Sequence, residues 1–374
     1  MNPVSSAVSS GDPISFQIKA SSFQPIKSER RICKMQNLTR AHGELYRRAP
    51  DERFDSLEAL AKHCKAEREE SEDRWHPPGV LVPHANGGLS LNLGEDGRFA
   101  LNDWSFLQLC KIAGVSKDTV NQLSPETARR VLAETLPSSS KPLQLFTADA
   151  GIRSIHGTSY TRLYNADLID MLQETATDFE PPQKASGEGT GLYCGEQDMF
   201  VFLIDPAGWA EIEDQAFAPG FFVWNSEVGC RSVGIQTFWF QAICQNHIVW
   251  DAVEVIEFKR KHTANVGDSL SEIRGIVESL VHKRDSRRDG FVQVMRKATE
   301  KVLGADGDEV IKVLTRNGIP RSLSKEALKI AEEQGCFTIF SMVDALTRLA
   351  GQIKNAGDRN EIDQKASALL ALAA

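Results

Sequence analysis

MFVFLIDPAGWAEIEDQAFAPGFFVWNSEVGCRSVGIQTFWFQAICQNHIVW, residues 199–250, is the stretch on which the fold turns. It contains three apolar segments of strand length: Met199–Ile204, a second ending at Trp224, and a third that begins near Ser232. Asp205-Pro206 and the polar corner Asn225–Gly229 punctuate them. Successive strands with short links predict an antiparallel meander. A helix through Phe238–Cys244 is the competing reading, because a short apolar run does not fix the period.

On the N-terminal side, residues 143–179 read as strand, tight turn, strand and then a helix that Asn165 can cap. Residues 180–191 read as a flexible loop. Further back, Asp55 opens a helix with Glu58 three residues on. Short strands such as Gly88–Leu93 follow, then helices over 105–113 and over 124–136, the latter with Ser124 as cap and Pro125 in its first turn. After Phe258 the period becomes helical: 269–303 with an interruption at 285–290, then 306–317, 324–334 and 338–355, with a fraying tail from about 357. The expected fold is α+β, an antiparallel sheet core with flanking helices and an all-helical C-terminal part. Three regions are expected: a basic arm over 1–50, an α+β core over 51–268 and a helical region over 269–374.

The 374 residues are 41% hydrophobic and 25% charged, which fits a soluble globular chain with a sizeable core. No run of 18 apolar residues occurs, so no membrane span is expected. The N-terminal segment lacks a continuous apolar run and does not read as a secretory signal. Seven scattered cysteines without a CxxC pair predict reduced thiols in the cytoplasm. The net charge of −8 is segregated: +5 over 1–50, −17 over 51–257, +5 over 258–301 and −1 over 302–374.

The corner NSEVG at 225–229, the segment SVGIQTFWFQAICQNHIVW and the basic element KRKHT at 259–263 together resemble the phage- and plasmid-related family designated domain of unknown function 932. Upstream, Arg153, Ser159, Tyr160, Arg162 and Asn165 resemble that family's Arg…Ser-x-x-Tyr element before a helix. The resemblance spans roughly 145–270. It departs from the family pattern where Gly would follow Cys244-Gln245-Asn246, because His247 stands there. It implies a mobile-element setting and a nucleic-acid-related role, with family-motif positions Arg153, Tyr160, Asn165, Asn225, Ser226, Glu227, Gly229, Arg231, Cys244, Asn246 and His262. The strand order also resembles, at fold level only, Rad52-like single-strand annealing proteins.

Catalytic candidates are sparse. Cys244 and His247, three apart, share a face only on a helix, and no third orienting group is evident. Cys230, Cys244, His247 and His262 lack the paired spacing of a zinc knuckle, so no metal site is expected there. Asn225, Ser226 and Glu227 suit turn chemistry, and Glu227 could equally pair with Arg231 or Arg153. GEGTG at 187–191 lacks the Lys of a phosphate loop, and no other nucleotide or hydrolase signature occurs. No cofactor is therefore called for.

The partner signal is basic. Lys259, Arg260 and Lys261 leave the sheet, and Lys283, Arg284, Arg287, Arg288, Arg296 and Lys297 fall within a short helical span. Such clusters contact phosphate, and Trp224, Trp239 and Phe240 could stack on bases. The leading expectation is a mobile-element nucleic-acid-binding protein, with single-stranded DNA favoured and homo-oligomers plausible. A metal-dependent nuclease or hydrolase built on Glu227, Asp198 and a His is one alternative, and it would need a divalent metal. The other is an adaptor that presents the acidic 51–257 segment to a basic host protein.

Overall fold

Strand β11 (Gln215–Asn225) is the axis of the larger sheet. It pairs antiparallel with β9 (Met199–Ile204) on one side and β12 (Val233–Gln241) on the other. Its residues alternate between two faces that are both buried, with Phe217, Phe221 and Val223 on one and Ala218, Phe222 and Trp224 on the other. That double burial is why the segment reads as a continuous apolar run. A computed structural model describes residues 44–86, 88–182, 191–212, 215–241, 246–248, 256–333, 335 and 337–373.

The larger sheet runs β1 (Glu52–Phe54), β8 (Leu192–Cys194), β9, β11, β12, β13 (Asn246–Ile248); β10 (Ala210–Ile212) pairs with β11 and β14 (Glu257–Arg260) with β12. The expected meander is present, and Phe238–Gln241 is strand, not helix; Ala242–Gln245 lie outside the described residues. A second sheet was not anticipated. It runs β2 (Ser71–His76), β6 (Leu143–Ala148), β7 (Gly151–His156), β5 (Arg98–Leu101), β4 (Leu89–Asn92), β3 (Val82–Ala85), and its β5–β7 pairing is parallel. Helices α2 (Asp103–Ile112) and α4 (Pro125–Thr135) pack Phe106, Leu109 and Leu132 on that sheet's Leu91, Phe99 and Leu145. The short α3 (Lys117–Asn121) links them.

One face of the larger sheet is covered by α1 (Leu57–Glu69), α5 (Asn165–Thr175) and α6 (Ser269–His282), which share a core with Leu203, Phe221 and Ile235. At the far end Phe217 and Trp239 enter a core built by α7 (Arg284–Glu300), α8 (Gly307–Arg316), α9 (Arg321–Glu333) and α10 (Ile339–Ala350). Trp239 stacks on Phe291 of α7, centroids 3.9 Å apart. The helical region therefore shares its core with the sheet, and Gly43–Ala374 cluster as one unit. The opposite face carries an aromatic layer of Phe200, Phe202, Phe222, Trp224, Phe238 and Phe240.

Several local expectations shift. Ser56, not Asp55, caps α1, accepting from the Ala59 N–H at 3.1 Å. The break in the long helical stretch falls at Lys283, ahead of the expected 285–290. Residues 44–50 of the expected arm are tied to the core: Leu45 N–H donates to Asn121 O at 2.9 Å, and the Tyr46 hydroxyl reaches Leu89 O. The earlier part of the arm and most of the 180–191 loop lie outside the described residues.

The largest correction is the C-terminus. Instead of fraying, Ala356–Ser367 form helix α11, with Asn360, Asp363 and Ser367 buried. Asp51 Oδ2 accepts from the Ala356 N–H at 2.8 Å and supplies a cap from the other end of the chain. The inward stripe of α11 is small and polar, so no apolar period marked it as a packed helix. No helix among the described residues is long and apolar enough to cross a membrane.

Candidate functional site

The turn between β11 and β12 is where the two sheets meet, and it gathers charge inside the fold. Asn225, Ser226 and Glu227 are all buried. The Asn165 backbone N–H donates to Glu227 Oε1 at 2.7 Å. Asn165 is therefore the first residue of α5 rather than its side-chain cap; the carboxylate of Glu227 does that work at the positive end of the helix. Arg153, on β7, approaches Glu227 Oε2 at 3.3 Å. Of the two partners considered for Glu227, Arg153 is the one in place. Burial still pushes the Glu227 carboxyl above its ordinary range.

The backbone of the same turn is gripped as well. The Tyr160 hydroxyl donates to Glu227 O at 2.7 Å, and Arg162 donates to the same oxygen while holding Asp73 Oδ1 at 2.7 Å. Asn225 Nδ2 donates to Leu163 O and to Asn165 Oδ1, both at 2.9 Å. Ser226 Oγ donates to Gln197 O and accepts from the Cys230 N–H at 2.9 Å. Trp104 Nε1 and His156 Nε2 both reach Val228 O at 2.8 Å.

Gly229 has φ +72°, and a Cβ there would lie 2.6 Å from His156 Cε1 and 2.8 Å from Tyr160 Cε2. Glycine is required both for the left-handed backbone and for the close approach of the rings. Those rings form a stack: His156 on Tyr160 at 3.7 Å, with His262 at 5.5 Å from Tyr160. Burial lowers both histidines to about 4, so both imidazoles are neutral at pH 7.

Arg231 leaves this corner toward the aromatic face. Its Nε donates to Asp198 Oδ2 at 2.7 Å, and Asp198 Oδ1 accepts from Arg48 at 2.8 Å. Its guanidinium lies against Gly357 of α11, where a Cβ would be 2.3 Å from Nη2. Beyond it opens a cleft of about 320 Å³ lined by Phe200, Trp224, Arg231, Ser232, Lys259, Asn360, Glu361 and Gln364. Lys259 Nζ sits 5.8 Å from the Trp224 ring centroid, and the Arg231 guanidinium 5.7 Å from that of Phe200. Asn360 Oδ1 is buried without a hydrogen-bond donor.

Of the positions that the sequence resemblance singled out, Arg153, Tyr160, Asn165, Asn225, Ser226, Glu227, Gly229, Arg231 and His262 thus meet around one corner. Cys244 lies outside the described residues; Asn246 and His247 are placed only as backbone in β13. The carboxylates of the hydrolase alternative, Glu227 and Asp198, are each held by arginines rather than turned to a common open point. Cys230 contacts Gln197 Oε1 at 3.6 Å.

The basic cluster is more committed than its sequence implies. Arg284 is paired with Asp205 and Asp178, Arg288 with Asp285 and Asp289, Arg260 lies 3.8 Å from both Asp268 and Glu272, and Lys259 pairs with Glu257. Arg287 is 2% exposed. Lys261, Lys283, Arg296 and Lys297 are exposed. Trp239 is fully buried against Phe291 and offers no stacking surface; Trp224 borders the cleft but is only 5% exposed.

Sequence reasoning missed the wall that α11 contributes, together with Arg48 and Asp51. A lone Arg-x-x-Asp after a basic segment carries no mark of its partners at 198 and 356. No known protein family, no characterised protein and no solved structure matches this chain.

Proposed function

We propose that the protein binds single-stranded nucleic acid, with a base and its adjoining phosphate taken by the cleft between the aromatic face and α11. The carrying observation is the cleft's composition: cations of Arg231 and Lys259 and side-chain amides of Asn360 and Gln364, set against the largely buried rings of Phe200 and Trp224, 1 and 5% exposed. Cation and amide are groups that answer a phosphate and the edge of a base. The volume of about 320 Å³ suits one nucleoside-sized group and not a duplex.

Arg231 Nε stays on the buried Asp198 at 2.7 Å, and the outward contacts of the two cations go to Glu257, Glu361 and Asp358, which are 39, 58 and 55% exposed. Exposed pairs of this kind contribute about 0–1 kcal/mol, so phosphate can displace them at low cost. The whole chain is acidic, with pI ≈ 5.6, so binding is local and depends little on long-range attraction. A mobile-element setting, and a part in annealing during recombination or replication, are supported by the motif resemblance alone.

Anisotropy titration of labelled single- and double-stranded oligonucleotides at two salt concentrations tests this reading. Expected are micromolar single-strand binding that weakens with salt and a loss of at least roughly fivefold in Lys259→Glu, as for a lost phosphate contact. The absence of salt-sensitive binding at micromolar protein overturns it.

A further inference from the structure

The geometry points to a second, separate site: a divalent-metal centre of the zinc class formed by His63, Glu67 and Cys194. One nitrogen, one carboxylate oxygen and the sulfur of these residues all lie within 4.8 Å of one another. His63 and Glu67 are four apart on α1 and so share a face, with Nε2 and Oε2 3.7 Å apart. Cys194 ends β8 directly beneath that face. Tetrahedral zinc with Zn–S near 2.3 Å and Zn–N/O near 2.0–2.2 Å sets ligand atoms roughly 3.3–3.8 Å from each other. The His–Glu separation already falls in that range, and closing the sulfur needs about 1 Å of side-chain movement at most.

The surroundings match the donor set. Glu67 Oε2 is shielded from solvent yet accepts no hydrogen bond, which leaves an acceptor without a donor. The Phe54 ring lies 4.9 Å from the His63 ring and fixes its plane. Asn165 Nδ2 stands 3.9 Å from Cys194 Sγ, a weak donor that holds a sulfur ligand in place. Cys64, adjacent to His63, is buried and lies outside the set of three. Its sulfur is also 3.9 Å from Met199 Sδ.

His63 and Glu67 are each 29% exposed, whereas Cys64 and Cys194 are buried. An ion can enter from the helix side, and the sulfurs line the inner wall. One thiolate, one carboxylate and one neutral imidazole give a first shell of charge −2, which neutralises a divalent ion. A sulfur ligand in that set favours zinc-class ions over magnesium or calcium. The opposing feature is Arg153, whose Nη2 lies 3.5 Å from Glu67 Oε2. Arg153 has Glu227 as an alternative carboxylate at 3.3 Å, so a metal ion takes Glu67 without stranding the guanidinium. Such a centre would tie α1 to the sheet edge; it does not depend on nucleic-acid binding at the cleft.

Cobalt(II) titration of the full chain, after removal of any metal with a chelator, is the test. Expected is saturation at one equivalent, with a thiolate-to-cobalt charge-transfer band and the visible bands of tetrahedral cobalt. The charge-transfer band should vanish in Cys194→Ser and persist in Cys230→Ser. His63→Gln and Glu67→Gln, both on the accessible side of the site, should keep the far-ultraviolet circular dichroism of the parent and weaken cobalt binding at least roughly tenfold. Should Cys194→Ser fail to fold, the two helix variants decide alone. No charge-transfer band in the parent, a band unchanged by Cys194→Ser, or unchanged affinity in both helix variants overturns the proposal.

Discussion

The corner at 225–231 and the run at 283–297 are built from similar charged side chains, and the fold uses them in opposite ways. At the corner, Glu227 and Asp198 are buried, and their arginine partners arrive from β7 and from the segment before β1. Across the run, Arg288 meets only exposed carboxylates on its own helix, whereas Arg284 joins the exposed Asp178 to the buried Asp205 and Arg287 is itself buried. Burial makes the difference. A charge taken from water must be answered by geometry, so the corner is determined across the whole domain. A charge left in water is not, so the Arg288 pairs can be redrawn at little cost.

The contrast can be broken from the corner side first. Glu227→Ala removes the acceptor for the Asn165 N–H and leaves Arg153 with Glu67 alone, 3.5 Å away; a loss of about 3 kcal/mol, the low end for a broken buried pair, is expected from chemical denaturation. A loss under about 1 kcal/mol would place the corner with the surface run. Gly229→Ala is expected to cost roughly 2–4 kcal/mol, from left-handed backbone strain plus displacement of His156 and Tyr160. Restoring space with a second substitution, His156→Ala, should recover part of that loss but not the backbone share.

A third test is the pH dependence of the stack. His156 and His262 are depressed in the folded protein, from 6.5 to about 4. The unfolded chain binds protons that the folded one refuses. Their contribution is therefore complete above pH 6.5 and is lost as pH falls toward 4, at up to about 1.4 kcal/mol per pH unit for each histidine. His262→Gln should flatten the wild-type slope in that window; equal slopes would show that His262 is hydrated. The smallest effect belongs to the run: Arg288→Ala should change stability by no more than about 0.5 kcal/mol. A larger loss would mean that the run is as integral as the corner.

Much of the fold was legible because local rules dominate it. The meander follows from three apolar segments and their punctuation, and α4 begins at Ser124-Pro125 as its capping residues require. The corner was legible as a set of residues, through Asn225, Glu227, Gly229 and the upstream Arg153, Tyr160 and Asn165. Its chemistry was not. Glu227 became a helix cap from 62 residues away, a role that no local spacing encodes. Helix α11 was missed because its buried stripe of Asn360, Asp363 and Ser367 has no apolar period, and the cleft that it walls was missed with it. His63 and Glu67 stood at helical spacing, but their third partner, Cys194, comes from a distant strand.

The sequence by itself determined most of the strands and helices, with α11 and Phe238–Gln241 as exceptions, since backbone preference and apolar period act over a few residues. It also set where charge is concentrated. Only the tertiary structure decided which charges are spent inside the fold and which face water. That outcome depends on desolvation, and desolvation depends on which distant segment comes to lie alongside: Arg153 beside Glu227, Arg48 beside Asp198, and α11 across the aromatic face.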